Sequence, residues 1–183
     1  GGAGTDTLDL SEATSGATVD LSAGTASSAE TSNDVISGFE NLTTGEGDDT
    51  ITGSSGDNVI DAGAGNDVVF SLALINNITL GAGNDIAVLL GGINVARGGD
   101  GNDIIVNLGI GNYADMGNGN DILVSSGALN IGYKNGNGSV IAVMTGVANA
   151  LIVEGQNDLI AVSVSVLNVI HKSGDGDMRT GLL

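Results

Sequence analysis

Apolar residues recur along this chain in short extended segments set at a fixed interval. Ile51, Val69, Ala87, Ile105 and Leu123 stand 18 residues apart, each two positions after an aspartate, and Ala142 and Ile160 are expected to continue the row. These side chains should point inward. About three extended residues follow each turn, as at 104–106 and 113–115, and strands this short hold only when copies of themselves lie above and below at roughly 4.8 Å. Units that cannot bury a core alone do so by stacking. The pattern therefore predicts an all-β fold: a parallel β-roll, or β-solenoid, of stacked 18-residue rungs, right-handed as parallel crossovers are.

Two kinds of turn alternate within each period. The first is Gly-x-Gly-Asn-Asp at 63–67, 81–85, 99–103 and 117–121, with a relaxed copy, Gly45-Glu46-Gly47-Asp48-Asp49, one period earlier. The second, in antiphase, is marked by Asn58, Asn76, Asn94, Asn112, Asn130, Asn149 and Asn168. Each rung is thus two nonapeptides, with its two turns on opposite sides of a flattened coil. Three stretches follow from this reading: irregular N-terminal turns and a loop over 1–44, regular repeats over 45–125, and degenerate rungs over 126–183. In the first stretch, 7–10 and 18–21 look like strands and 22–32 like a loop. In the last, Val140 stands where the aspartate should be, and Asp158 is expected to restore it.

Alternation also assigns an outward face. Val68 and Phe70, Ile86 and Val88, Ile104 and Val106, Ile122 and Val124, Ile141 and Val143, and Leu159 and Ala161 should lie on one outer surface. A solvated sheet face is usually polar, so this stripe predicts packing against a second copy or a sister domain. The other sheet carries Asp61, Thr79, Arg97, Asp115 and His171 outward and should face water.

Composition narrows the function. Thirty-two glycines, no proline, no cysteine and 2% aromatics suit thin repetitive β-structure with tight turns, and 41% hydrophobic residues argue against disorder. A formal charge of −18 excludes nucleic acid as a partner and points to cations. No apolar run is long enough to predict a membrane span. Without cysteine no disulfide can hold the fold outside the cell, which leaves bound metal as the candidate stabiliser. The first residues, Gly1-Gly2-Ala3-Gly4-Thr5-Asp6, lie inside a motif, so the chain is read as a fragment of a longer protein.

Calcium takes six to eight oxygen ligands at about 2.3–2.6 Å and tolerates irregular geometry, so carboxylates and turn carbonyls serve it well. Five aspartates in register at rung spacing would repel one another unless cations lay between them. The asparagine turns lack that charge, but a neutral amide can bond to the same amide one rung along, so their role is expected to be structural.

The segment Gly98-Gly99-Asp100-Gly101-Asn102-Asp103-Ile104-Ile105-Val106 and the opening Gly1-Gly2-Ala3-Gly4-Thr5-Asp6 resemble the repeat-in-toxin (RTX), or hemolysin-type, calcium-binding nonapeptide of secreted bacterial proteins, and 34–42 resembles the segment that often precedes such repeats. The resemblance is clear over 34–125 and weaker to about 178. It implies ions held between neighbouring turns, at about four Ca²⁺ sites formed by the pairs Asp49/Asp67, Asp67/Asp85, Asp85/Asp103 and Asp103/Asp121. The implied ligand turns comprise Gly45, Gly47, Asp49, Gly63, Gly65, Asp67, Gly81, Gly83, Asp85, Gly99, Gly101, Asp103, Gly117, Gly119 and Asp121.

The expected function is a calcium-binding structural module of a secreted or surface bacterial protein, exported by a type I route and folded by calcium outside the cell. A self-assembling adhesin, surface-layer or filament segment is an alternative, as is the C-terminal domain of a secreted enzyme. Ice or carbohydrate binding is the weakest reading, because the outward row Asn66, Asn84, Asn102 and Asn120 has no threonine beside it. The chain itself is not expected to be an enzyme. It has one histidine, His171, and lacks a zinc-protease, nucleophile-elbow or phosphate-loop motif.

Overall fold

The structure, a computed structural model, describes residues 1–30, 32–155 and 157–182, apart from the side chain of Leu182. Alternating turns wind the chain into about eight turns of a β-solenoid, and no helix occurs among the described residues. Two parallel sheets result. One stacks Thr7–Asp9, Asn41–Thr43, Asn58–Asp61, Ile75–Ala82, Ile93–Asp100 and Gly111–Asp115. The other stacks Ala17–Asp20, Thr50–Thr52, Val68–Ser71, Ile86–Leu89 and Ile104–Leu108. Three long strands, Asp121–Lys134, Val140–Val153 and Leu159–Lys172, then run through both sheets, and Met178–Leu182 adds to the second.

The strands are longer than the sequence suggests. Instead of about three residues, Ile75–Ala82 and Ile93–Asp100 have 8 and the three long strands have 14 each. Extended backbone continues through the asparagine turn because neighbouring turns there pair directly, as Gly127 does with Gly146. The predicted loop over 22–32 also contains a strand. Thr25–Ser28 folds back antiparallel on Ala17–Asp20, which supplies the pairing that its small polar residues do not signal, and Thr31 lies outside the described residues.

The core lies between the two sheets. Ile51, Val69, Ala87, Ile105, Leu123 and Ala142 are buried from one sheet, and Leu42, Ile60, Ile78, Ala96, Ala114 and Leu151 from the other. Small residues make room for large ones across the gap. A Cβ on Gly132 would lie 2.8 Å from a Leu123 methyl and 2.9 Å from a Leu151 methyl, so this inward position is filled by its neighbours.

Two expectations in the last rungs are corrected. Ile160 does not point inward: it is 47% exposed, while Leu159, expected on the outer face, is 1% exposed and Ala161 is buried beside it. The register explains this. Asp121 pairs with Val140 and Val140 with Leu159, so Asp158 falls one position short of the aspartate row and is exposed. Four residues separate Met116 from Asp121, but five separate Lys134 from Val140 and Val153 from Leu159. The turn has lengthened by one and carries the next apolar residue inward. Gln156, within that turn, lies outside the described residues.

Elsewhere on this outer face Val68, Ile86, Ile122, Ile141 and Val143 are exposed and Ile104 is half-buried, as the alternation requires; Ile160 and Val162 take the outward positions on the last rung. Exposed apolar side chains also crowd the asparagine edge, including Leu72, Leu74, Ile110, Val147 and Val166. The apolar surface therefore extends beyond one sheet. On the other sheet Asp61, Arg97 and His171 are exposed, and Thr79 and Asp115 are half-buried.

Candidate metal centre

The glycine turns bring Asp49, Asp67, Asp85, Asp103 and Asp121 into one buried row, each 2% exposed or less. Glycine is required by conformation and by space. Gly83 has φ 141°, a region L side chains rarely adopt, and a Cβ there would overlap the Gly65 carbonyl oxygen of the turn before. Gly81 meets Gly63 in the same way. Carbonyls of successive turns are thereby stacked along the edge. Gly45 is the exception among the predicted ligands, since its φ is not positive and it packs against Ala13.

One oxygen of each aspartate binds the neighbouring turn. Asp67 Oδ1 accepts the Asp49 N–H at 2.8 Å, Asp85 Oδ1 the Asp67 N–H at 2.8 Å, Asp103 Oδ1 the Asp85 N–H at 3.0 Å and Asp121 Oδ1 the Asp103 N–H at 3.0 Å. The second oxygen differs among them. Oδ2 of Asp49, Asp67, Asp85 and Asp103 is buried with no hydrogen-bond partner. Asp121 Oδ2 instead accepts from the Lys134 ammonium at 2.7 Å, in an ion pair with both side chains fully buried. Lys134 also donates to the carbonyl oxygens of Gly117 and Gly119, each at 2.7 Å, and of Asn137 at 2.9 Å.

The electrostatics follow from this burial. Asp67 is pushed up to about 7 by removal from water, opposed by the Asp49 N–H and reinforced by the carboxylates of Asp49 and Asp85. Asp103 is likewise pushed up to about 7, by burial and then by Asp85 and Asp121. Burial also raises Asp85, and raises Asp121 despite the opposing effect of Lys134. Two unit charges at the rung spacing repel by about 3 kcal/mol at an effective dielectric of ~20. A buried charged oxygen without a partner is a further cost.

These atoms fit a hard divalent cation. Four partnerless carboxylate oxygens lie in a row beside turns whose carbonyls are stacked by glycine, and oxygen ligands of both kinds are what calcium takes. No group of three or more His, Cys, Asp or Glu side chains suited to a metal occurs among the described residues, so backbone oxygens must supply most of any coordination shell. The structure brings together all five predicted aspartates and their glycines. It also adds Lys134, which sequence reasoning counted only as a charge; the available signal was a lysine in the inward register of Gly98 and Met116 at the point where the aspartates stop.

The asparagine turns form a second buried row without charge. Asn76 Nδ2 donates to Asn94 Oδ1 at 2.9 Å, Asn94 to Asn112 at 3.0 Å, Asn112 to Asn130 at 2.7 Å and Asn130 to Asn149 at 2.7 Å. This is the expected amide ladder. Asn58 and Asn149 close on serines instead, donating to Ser71 Oγ at 3.0 Å and Ser163 Oγ at 2.8 Å. A third row, exposed, runs beside the aspartates: the N–H groups of Asn84, Asn102 and Asn120 donate to Oδ1 of Asn66, Asn84 and Asn102 at 3.0, 2.9 and 2.8 Å. Its side-chain amides are bonded to one another as well.

Comparison with known families finds the RTX calcium-binding nonapeptide repeat in four copies, over residues 36–69 and 79–108. No curated protein and no solved structure is a match to the chain. The matched segments contain the turns of Asp49, Asp67, Asp85 and Asp103, the four whose buried oxygen lacks a partner. With its parallel two-sheet coil and its calcium-binding nonapeptides, the chain carries RTX repeats over residues 36–69 and 79–108, and these form a β-roll.

Proposed function

We propose that the chain is a calcium-binding structural module of a secreted or cell-surface bacterial protein, with no catalytic role of its own, folded by calcium outside the cell after type I export. About four ions would lie between successive turns from Asp49 to Asp121, held by the carboxylates and by carbonyls of the glycine turns. The observation that carries this reading is the set of four buried Oδ2 atoms without a partner. Bound calcium supplies the positive charge that the row lacks, and four ions would bring the formal charge from −18 to about −10.

Metal binding of this kind contributes directly to folding. A Kd of about 10⁻⁴–10⁻³ M, as in extracellular modules, would keep the chain unfolded in the cytosol and folded outside. Circular dichroism during a calcium titration tests it. β-structure should rise with calcium and fall on chelation, and a full β-signal in excess chelator would defeat the folding switch.

We also infer that the stripe bearing Val68, Ile86, Ile104, Ile122, Ile141 and Ile160 packs against a second copy or a sister domain. Its support is a contiguous outer face of β-branched residues, several of them more than a third exposed. Sedimentation of the calcium-loaded chain should reveal self-association that an Ile122→Lys/Ile141→Lys double variant loses. A wild-type chain monomeric at high concentration would rule out the second copy.

A further inference from the structure

Lys134 is a fully buried lysine, and burying an ammonium is costly unless its hydrogen-bond and charge requirements are met. They are met by four oxygens at 2.7–2.9 Å: the carbonyls of Gly117, Gly119 and Asn137 and Oδ2 of Asp121. Three of the four are backbone carbonyls, two of them on the paired glycines of an aspartate turn and one on the turn above. The chain path that creates this arrangement repeats along the ladder. Gly119 N–H bonds to Asn137 O as Gly101 N–H does to Asn118 O, Gly83 N–H to Asp100 O and Gly65 N–H to Ala82 O. The oxygens around the ammonium are therefore counterparts of those beside the partnerless Asp67, Asp85 and Asp103 carboxylates.

The register explains how a lysine reaches this position. Lys134 follows Tyr133, whose carbonyl accepts the Met116 N–H, and so continues the inward positions of Gly98 and Met116. That register faces the carboxylate row directly: a Cβ on Gly98 would overlap Asp103 Oδ2. A long side chain here ends among the ligand oxygens, and a compact ammonium is a point charge suited to such a cage.

We propose that Lys134 is a tethered cation, filling the fifth position of the metal array and keeping calcium out of it. The proposal rests on the calcium reading of the four preceding turns. It also explains why the array stops at Asp121 although the glycine turn there is intact: the carboxylate already has its counter-charge. Beyond it, buried Val140 and Leu159 take the place in the row and present no charge to balance.

The test counts ions. Native mass spectrometry at saturating calcium should show one more bound ion per chain for Lys134→Met than for wild type, since the variant keeps side-chain length and removes the ammonium. Equal counts would overturn the proposal. If the variant does not fold, amine labelling of the folded wild type decides: Lys134 should resist a reagent that modifies partly exposed Lys172, and equal reactivity would show that the ammonium is not seated. Wild type that binds no calcium would sink the functional reading instead, and the labelling result would still stand for or against Lys134.

Discussion

At Asp49, Asp67, Asp85 and Asp103 one buried carboxylate oxygen has no partner, whereas at Asp121 the same oxygen meets the Lys134 ammonium at 2.7 Å. The backbone of the two kinds of turn is alike, with Gly101 N–H reaching Asn118 O at 3.1 Å and Gly119 N–H reaching Asn137 O at 2.6 Å. The difference lies in where the positive charge comes from. Turns before Asp121 must take it from solution, and the turn at Asp121 takes it from the chain. After that the row becomes apolar, at Val140 and Leu159, and 14-residue strands pair along most of their length. A repeat can thus keep its register after giving up its ligands, because backbone ladders and stacked amides hold it once no uncompensated charge opposes them.

Chelation should expose this contrast most strongly. As calcium is withdrawn stepwise, hydrogen exchange should lose protection first at the amides of Asp67, Asp85 and Asp103 and only at lower calcium within Val140–Val153 and Leu159–Lys172. Uniform loss over both regions would mean that the distal rungs have no stability of their own.

Acid should sharpen the same contrast from the other side. Asp67 and Asp103 titrate near 7 in the folded, metal-free chain, above the ordinary value of 3.8. Because the folded value is raised, their contribution to metal-free stability is greatest below about 4 and is lost as pH rises to about 7. In chelator, β-structure that forms at about pH 4 should therefore be lost toward about pH 7, whereas calcium affinity should rise over the same interval as protons cease to compete. A flat metal-free profile would show that these carboxylates are not desolvated.

Gly132→Ala gives the smallest expected effect and tests the packing of the metal-independent side. Its methyl would press on Leu123 and Leu151, both fully buried, at a cost of about 1–3 kcal/mol. Thermal melting in saturating calcium should report this loss with calcium affinity unchanged; a shifted affinity would show that the two regions are coupled through the core.

The coil and the metal edge were legible in the sequence because each is written as a period. Five aspartates at steps of 18, and seven asparagines at steps of 18 and then 19, fix which residues share a row, and inward Ile51, Val69, Ala87, Ile105 and Leu123 follow from alternation. The reading failed where the period changed by one. Asp158 matches the aspartate row by eye, yet the longer turn gives the place to Leu159, because burying an apolar residue there is favourable and burying a lone carboxylate is not. Lys134 stayed hidden for a different reason. Its place in the register is that of a core residue, and only the path of its side chain shows that the stem lies inside while the charge reaches the turn.

The exposed asparagine row and the buried aspartate row occupy adjacent residues but face opposite ways along the axis. Asp85 accepts the N–H of Asp67, on the preceding turn, whereas Asn84 accepts the N–H of Asn102, on the following one. Truncating either side chain leaves its own backbone N–H bonded and takes the acceptor from a neighbour's backbone N–H, upstream for Asp85 and downstream for Asn84. Two consecutive residues thus send their damage toward opposite ends of the molecule, and the turn that loosens is not the one that was changed.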